Sequence, residues 1–349
     1  MKERMFGEYE LQKATVVLFP YREDIWRKKC VPAERMIVAL ANAIAPFQQV
    51  ILGVVEQKED YLKSTYSLHP NVRVVVMKYN DIWTRDTIGS PVTTGTETFI
   101  PDFRFNAYGA GLYRPWNADD SMDAQIAELF GYGVRSSVVT TEGGNLMPDG
   151  NGTIFAIKES LANKNRNPDL SEEEIIVEIK KITGAERVVW VPQAMVMDET
   201  GGHVDNVLAF ADKRTMFLSY TDDESNDHYA ACQENYKFLS GLNNLDGDPY
   251  RIVKLPIPPL AMRSGEDCDE IVTRDGSFAR LEGDAILRTY VNFAQVNGGI
   301  ILPQFGIDMD KEAFDIIQEV FKDRTIVPFD SREAALGGGG LHCLTKNIN

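Results

Sequence analysis

Residues 153–192, TIFAIKESLANKNRNPDLSEEEIIVEIKKITGAERVVWVP, contain two apolar runs rich in β-branched residues on either side of a clear helical segment. Ser171 and Glu174 have the spacing of a capping box at the start of that segment, and Gly184 supplies its C-terminal stop. The flanking runs, TIFAIK and RVVWVP, are typical of strands. This order of elements predicts a strand, a helix and a second strand, and therefore an α/β or α+β class.

The same alternation extends over the rest of the 349-residue chain. Further apolar runs predict strands at ATVVLFP (14–20), QQVILGVV (48–55), VRVVVMKY (72–79), TMFLSY (215–220) and GIILP (299–303). Amphipathic segments such as PAERMIVALANAIAPF and KEAFDIIQEVFKD predict helices between them. No long linker or break in composition divides the chain, so we expect one domain over residues 1–349. Glycine-bearing turns recur at TEGGN, TGGHVD, NGG and LGGGG, but their unequal spacing makes this a weak repeat signal.

The composition is that of an ordinary globular protein with an acidic surface. Hydrophobic residues make up 44% and charged residues 25%, and no apolar run approaches the length of a membrane span. The net charge of −16 argues against a nucleic-acid or anionic-membrane partner, because phosphate groups are bound by clustered Lys and Arg. The N-terminal MKERMFGEYELQK has charges but no apolar stretch after them, so we expect no secretory signal and a cytoplasmic protein.

The cysteines are far apart in the sequence and form no CxxC pair; they are Cys30, Cys232, Cys268 and Cys343. In a chain of this length without a secretory signal, this pattern predicts free thiols, one of which could be reactive. Cys343 follows four consecutive glycines in LGGGGLHC. That segment is either a glycine-rich tail or a loop that brings one thiol to a particular place.

Four stretches place ionisable groups in turns, where catalytic residues are often found: NDIWTRDTIGSP (80–91), EGGNLMPDGNGT (142–153), DETGGHVDN (198–206) and GGGGLHC (337–343). His203 and Asp205 are two residues apart, so in an extended segment they share a face, as a general acid beside a carboxylate would. A half-buried structural histidine fits this tripeptide equally well. His342 adjoins Cys343 and would point to the opposite face. We therefore expect His203 to be the partner of Cys343, and His342 to be structural.

The remaining candidates are three carboxylates, Asp86, Glu142 and Asp205. With His203 they could form a metal-ligand set, but no HExxH or CxxC spacing is present, so we expect no metal. No P-loop or GxGxxG motif is present, and we expect no cofactor. Several carboxylates around one point suit a planar guanidinium cation, and its carbon is an electrophile that a thiolate can attack.

In their order along the chain, WTRD, EGGN, DETGGHVDN and GGGGLHC resemble the motifs of the agmatine deiminase family, in the guanidino-group-modifying pentein superfamily. The similarity extends to ELQKATVVLFPYREDIW, FNAYGAGLY and YVNFAQVNGGIILPQFG, and so covers essentially the whole chain. Bacterial peptidylarginine deiminases share the motifs and are the nearest alternative. The resemblance implies a five-bladed pseudo-symmetric α/β propeller of ββαβ units. It also implies hydrolysis of agmatine to N-carbamoylputrescine and ammonia, as in polyamine synthesis or agmatine catabolism.

The resemblance also implies a role for each matching residue. Cys343 would be the nucleophile and His203 the general acid and base. Asp86, Glu142 and Asp205 would hold the guanidinium. Trp83 and Glu199 would meet the aliphatic chain and the distal ammonium of the substrate, respectively.

Three departures from the family's usual motifs lie in loops near the expected pocket. Gly340 replaces an Asn, Gly201 replaces an Asn before GHVD, and residues 147–150 read MPDG where the family has an HVDG-like stretch. No ionisable catalytic group is lost, so the reaction is better supported than the identity of the guanidino substrate. The alternatives are a deiminase of another guanidino compound or of peptidyl-arginine, an amidinotransferase, and a non-catalytic guanidino- or polyamine-binding protein. The sequence leaves open whether the chain forms a homo-oligomer.

Overall fold

The structure is a computed structural model that describes residues 3–349. One arrangement occurs five times: a short strand pairs antiparallel with a central strand, a helix follows, and a third strand lies parallel to the central one. We number these ββαβ units 1 to 5 along the chain. The short strands of units 1 to 5 are, in order, Lys346–Ile348, Val92–Thr93, Met147–Pro148, Leu208–Phe210 and Ala294–Val296. The central strands are Ala14–Leu18, Thr98–Arg104, Thr153–Ile157, Thr215–Tyr220 and Gly299–Gln304. The parallel strands are Gln49–Val54, Gly133–Thr140, Arg187–Val191, Arg251–Pro256 and Thr325–Asp330.

Two sheets are extended by a fourth strand, and one small ribbon lies between units 4 and 5. Val72–Val76 adds to unit 1 and Arg4–Met5 adds to unit 2. The ribbon pairs Ala261–Met262 with Ala285–Ile286. The helices within the units are Val31–Ile44, Met122–Phe130, Glu172–Thr183, Tyr229–Leu239 and Met309–Val320. The other α-helices are Glu59–Thr65, Thr84–Thr87, Ala107–Ala110, Lys158–Leu161 and Arg332–Leu336.

The helix of unit 3 shows why these segments fold as they do. Ile175, Ile179 and Ile182 follow a helical spacing and are buried in one apolar cluster with Ile154 of the central strand. The predicted capping box of Ser171 is present at the N-terminus of this helix, and Gly184 ends it in the left-handed conformation at φ +70°. Both predicted ends of this helix are confirmed.

We expect Ser171→Ala to lower the free energy of unfolding by about 1 kcal/mol, because it removes the side-chain acceptor of the Glu174 backbone N–H. Ser121→Ala is the matched control, since Ser121 precedes the helix Met122–Phe130 without capping it. Chemical denaturation of both variants tests this. Equal destabilisation by the two substitutions would contradict it.

The sequence predicted four of the five central strands, missing Thr98–Arg104, but only two of the five parallel strands. Gly133–Thr140 and Arg251–Pro256 were not predicted, and both are largely exposed or half-buried, so their sequences lack a continuous apolar run. Thr325–Asp330 was also missed, and it contains a proline. The NGG turn at 297–299 is the hairpin turn between two strands of unit 5.

The segments between units have an equivalent place in each repeat and carry the predicted motifs. Each segment follows the last parallel strand of one unit and precedes the short strand of the next. The segments are 77–91, 141–146, 192–207, 257–293 and 331–345. Among residues 3–349, no helix has the combined length and apolar character needed to cross a membrane.

Candidate active site

A small cavity lies among these inter-unit segments. Five of the seven predicted site residues line it: Trp83, Asp86, Glu199, His203 and Cys343. The other two, Glu142 and Asp205, are fully buried and contact residues of the cavity wall. The structure therefore brings together residues that are dispersed over most of the chain.

His203 is held between two carboxylates. Its Nε2 lies 3.4 Å from Glu142 Oε2, and its Nδ1 lies 3.6 Å from Asp86 Oδ1. Burial alone would lower the pKa of the imidazole, but Asp86 and Glu142 outweigh burial and raise that pKa to about 9. The ring is therefore protonated at neutral pH and can donate a proton.

Glu142 is bound on its other side by Arg166. Arg166 Nε donates to both carboxylate oxygens, at 2.8 and 3.0 Å. Burial opposes ionisation, but Arg166 and His203 outweigh it and lower the pKa of Glu142 to about 2. Glu142 was predicted to hold a guanidinium. In this structure its carboxylate contacts Arg166 and His203, and its negative charge favours the imidazolium.

We expect Glu142→Gln to lower the pKa of His203 by about 1–3 units, because the substitution removes a negative charge that favours the imidazolium. NMR titration of the 4 histidines follows this pKa directly. His342 is the internal control, since its ring contacts Glu8 and Asp205 and should titrate as before. An unchanged or higher pKa of His203 would contradict the coupling.

The Cys343 thiol is buried beside one carboxylate and one amide. Its Sγ lies 3.6 Å from Asp205 Oδ2, and Asn292 Nδ2 donates to it at 3.3 Å. Burial, with the charges of Asp205 and Asp86, raises the pKa of the thiol well above its ordinary value. A bound cation would offset the two carboxylates and favour the thiolate.

Asn292 was not among the predicted site residues, although it occupies the inter-unit segment before unit 5. Its Oδ1 accepts from the backbone N–H of His342 at 3.0 Å and from that of Cys343 at 3.4 Å. A Cβ at Gly340 would lie 2.2 Å from this Oδ1. The amide of Asn292 thus occupies the space into which a side chain at position 340 would project.

The glycine run passes close to the cavity wall. Gly338 has φ +98°, and a Cβ there would lie 2.4 Å from Glu199 Oε2. A Cβ at Gly339 would lie 2.4 Å from the ring of Trp83. The segment is therefore a packed loop that positions Cys343, and the alternative of an unpacked tail is wrong.

His342 contacts the same oxygen of Asp205 as the Cys343 thiol. Its Nδ1 is 2.8 Å from Asp205 Oδ2, and its Nε2 is 2.8 Å from Glu8 Oε2. Glu8 in turn accepts from Arg85 at 2.7 Å. This buried chain fixes one oxygen of Asp205. The other oxygen, Oδ1, is buried without a hydrogen-bond partner in the described residues, and remains free to accept.

Asp86 is oriented by two donors. Gly144 N–H donates to its Oδ1 at 2.9 Å, and the Tyr108 hydroxyl donates to its Oδ2 at 2.9 Å. Burial raises the pKa of Asp86, although His203 opposes that shift. A cationic ligand in the cavity would favour the ionised form.

Glu199 is paired with an arginine at the cavity wall. Arg280 donates to Glu199 Oε2 at 2.6 Å and to the carbonyl of Gly337 at 2.7 Å. Trp83 packs on Trp26, with ring centroids 5.7 Å apart. Arg280 and Asp81, which also line the cavity, were not singled out from the sequence. Asp81 could have been predicted as a site residue from the sequence, because it is an ionisable residue of the NDIWTRD stretch.

The arrangement places a thiol, an imidazolium and several carboxylates around one cavity. The thiol of Cys343 and the imidazolium of His203 line the same cavity, as thiol-based attack on a cationic carbon requires. All four cysteines are free thiols, as predicted.

Comparison with known proteins gives consistent similarities. Residues 4–348 match the family model described as Porphyromonas-type peptidyl-arginine deiminase. The chain is 36% identical to the agmatine deiminase of Stutzerimonas stutzeri, covering 98% of this chain and 94% of that protein. It is 35% identical to that of Pseudomonas fluorescens, with coverage of 98% and 94%. The solved structure of the Enterococcus faecalis agmatine deiminase superposes with a TM-score of 0.94 at 31% identity, covering 99% of this chain and 96% of that one. This similarity confirms the α/β pentein fold.

Proposed function

Because the chain belongs to the Porphyromonas-type peptidyl-arginine deiminase family, we propose that it hydrolyses agmatine to N-carbamoylputrescine and ammonia. Relatives at 35–36% identity over nearly the whole chain are agmatine deiminases. The structural observation that carries the proposal is the meeting of Cys343, His203 and Asp86 in one cavity. A thiol, a protonated imidazole and a carboxylate are the groups that deimination of a guanidinium needs.

The first half of the reaction forms a covalent intermediate. The Cys343 thiolate attacks the guanidinium carbon, and a C–S bond forms. His203 donates its proton to the departing nitrogen as the C–N bond breaks, which releases ammonia. The product on the enzyme is an S-alkylthiouronium. The raised pKa of His203 keeps the proton available for this step at neutral pH.

The second half regenerates the thiol. His203, now neutral, accepts a proton from water, and the resulting hydroxide adds to the thiouronium carbon. The C–S bond then breaks as the added hydroxyl group loses its proton to solvent, and the ureido product leaves with the Cys343 thiolate and the protonated His203 restored. The two steps together consume one agmatine and one water and yield one N-carbamoylputrescine and one ammonia.

Carboxylates in the site keep the substrate cationic and fix its orientation. We assign direct contact with the guanidinium to Asp86 and to the unpartnered Oδ1 of Asp205. The bound guanidinium also compensates the two charges that raise the pKa of Cys343, so binding favours the thiolate. We assign Glu142 to holding and charging His203. Trp83 would contact the aliphatic chain of the substrate, and Glu199 would face its distal ammonium.

A panel of guanidino compounds tests the function. Ammonia and ureido product are measured together for agmatine, free arginine, a C-terminal arginyl peptide and shorter guanidinoalkyl amines. We expect equimolar ammonia and ureido product from agmatine, with the highest kcat/KM in the panel. Preference for the peptide would indicate a peptidylarginine deiminase. Amidino transfer to an amine without ureido product would indicate a transferase, and binding without turnover would indicate a binding protein.

A further inference from the structure

Asn292 is a buried neutral residue whose side-chain amide contacts the reacting sulfur atom. Only 1% of the residue is exposed. Its Oδ1 accepts the backbone N–H groups of His342 and Cys343, and its Nδ2 lies 3.3 Å from Cys343 Sγ. Asp205 also contacts this sulfur, but its carboxylate cannot donate a hydrogen bond when it is ionised. Asn292 therefore brings a side-chain donor to the sulfur.

The orientation of this amide is fixed by the groups around it. A backbone N–H can only donate, so the atom of Asn292 that faces the two N–H groups must be the oxygen. On the other side, Nδ2 lies 3.2 Å from Asn206 Oδ1. Asn206 is oriented in turn by Asp198, whose carboxylate accepts from Asn206 Nδ2 at 2.9 Å. The nitrogen of Asn292 is thus held toward the sulfur by contacts that end at a carboxylate.

The hydrogen bonds of the sulfur differ between its two charge states. As a thiol it can donate, to Asp205 Oδ2 at 3.6 Å or to Asn292 Oδ1 at 3.4 Å. As a thiolate it can only accept, and the amide N–H of Asn292 becomes its partner. Burial and the charges of Asp205 and Asp86 raise the pKa of the thiol, whereas hydrogen bonds from Asn292 and from the backbone of Gly340 oppose that shift. Two neutral donors therefore favour the charged sulfur in a site whose carboxylates disfavour it.

We propose that Asn292 is a catalytic residue that stabilises the Cys343 thiolate through its amide N–H, together with the backbone N–H of Gly340. In the proposed reaction the sulfur is negatively charged twice, before it attacks the guanidinium carbon and again when the C–S bond breaks. A neutral donor suits both moments, because it stabilises the thiolate without a positive charge that would repel the substrate cation. The catalytic role rests on the proposed function.

The thiolate gains more from this donor than it loses. A hydrogen-bonded sulfur is intrinsically less nucleophilic, but the fraction of thiolate increases more steeply as the pKa of the thiol falls toward the ambient pH. The pKa of Cys343 lies above its ordinary value, so ionisation limits the reactivity of this thiol. Loss of the donor should therefore slow every reaction of the thiolate.

The test alkylates Cys343 with 2-chloroacetamidine, a small amidinium cation that suits the carboxylates of the site. The thiolate displaces chloride from the reagent, and mass spectrometry of peptides measures modification of Cys343 and Cys268 separately. For Asn292→Leu we expect kinact at Cys343 to fall about 10- to 100-fold, because a hydrogen bond to a charged atom is lost. KI should stay within about twofold of the wild-type value, since the carboxylates that bind the cation are unchanged.

Asn292→Asp separates the donor from the acceptor of the amide. An aspartate keeps an oxygen for the two backbone N–H groups but has no N–H for the sulfur, so kinact should fall in this variant as well. Asn235→Asp is the matched control. Asn235 is buried, accepts from the backbone N–H of Gln193 and donates to its carbonyl, each at 2.9 Å, and does not line the cavity. Its variant should be alkylated at the wild-type rate.

Gly340→Ala tests the same contact without a change to Asn292, and it serves if the Asn292 variants do not fold. A Cβ at position 340 would lie 2.2 Å from Asn292 Oδ1, so the methyl group displaces the amide while the backbone N–H of residue 340 is retained. We expect kinact at Cys343 to fall in this variant too. Alkylation of Cys268, which is partly exposed, should not change in any variant.

A purely structural role of Asn292 predicts the opposite result. If the amide only held the loop, its removal would loosen the loop and expose the sulfur. Modification of Cys343 would then stop saturating with reagent and approach the rate of Cys268. Either that outcome, or an unchanged kinact in Asn292→Leu and Gly340→Ala, would overturn the proposal.

Assays with agmatine separate failure of this inference from failure of the proposed function. In Asn292→Leu, kcat for agmatine should fall by a factor similar to that of kinact. Calorimetry in the Cys343→Ala background should show an unchanged affinity for agmatine. If the wild type did not convert agmatine, the proposed function would fail, and the alkylation rates alone would decide whether Asn292 stabilises the thiolate. If the wild type converted agmatine but kinact were unchanged in the variants, only the inference would fail.

Discussion

Cys343→Ala is expected to reduce formation of ureido product from agmatine by more than about 10⁴-fold, the scale of loss seen when a catalytic nucleophile is removed. Sγ is the atom that forms the covalent bond, and alanine offers nothing in its place. Agmatine binding should persist, because Asp86, Asp205 and Glu199 remain. A colorimetric ureido assay and calorimetry measure the two properties on the same preparation.

Cys268→Ala is the matched control for removal of a thiol. Cys268 is partly exposed, and its Sγ donates to the carbonyl of Ser264, away from the cavity wall. This variant should keep wild-type turnover. Wild-type turnover in Cys343→Ala would show that the covalent mechanism is incorrect. Loss of both binding and turnover would show that the cysteine loop acts on the shape of the site as well.

His203→Gln is expected to lower kcat by about 10²- to 10⁴-fold, the usual contribution of general acid and base catalysis. Glutamine retains a polar group between Asp86 and Glu142, but it cannot transfer a proton.

The pH dependence gives a second expectation. Wild-type activity should fall as pH rises through about 9, where His203 loses its proton, and this decline should be absent in the variant.

Steady-state assays from pH 6 to 10 test both expectations, with His69→Gln as the control because His69 does not line the cavity. The control should match the wild type over the whole range. If His203→Gln kept the decline near pH 9, another group would have to supply the proton. Recovery of activity by added imidazole would support proton transfer at this position.

The sequence predicted the class of the fold because helices and buried strands carry local signals. The helix Glu172–Thr183 was predictable at both ends, since its caps lie within a few residues of the segment that they end. The glycine turns indicated the repeat only weakly, and the five ββαβ units were predicted from the resemblance to the agmatine deiminase family. The units differ in length, and the short strand of unit 1, Lys346–Ile348, comes from the opposite end of the sequence, where no local pattern connects it to Ala14–Leu18.

The candidate site was predictable where a residue could be recognised by its own motif. Contacts between residues that are far apart in the sequence were not predictable. Arg166 is far in sequence from Glu142, and only the structure shows that the two pair and so direct Glu142 toward His203. Asn292 is neutral, and the glycine turns of its segment, at Gly276 and Gly283, are not adjacent to it, so nothing local marks it as a site residue. Only the structure shows that its segment, before unit 5, is equivalent to the other inter-unit segments that form the site.

The strand Lys346–Ile348 follows Cys343 closely and pairs with Ala14–Leu18. The backbone that places the nucleophile is therefore held by a pairing between two segments that lie far apart in the sequence. The three strands of each of units 2 to 5 come from one continuous stretch of sequence, whereas the sheet of unit 1 is complete only when residues 346–348 pair with residues 14–18. A chain in which this pairing has not formed lacks the backbone contact that holds the Cys343 loop, so enzymatic activity reports that these two distant segments have folded together.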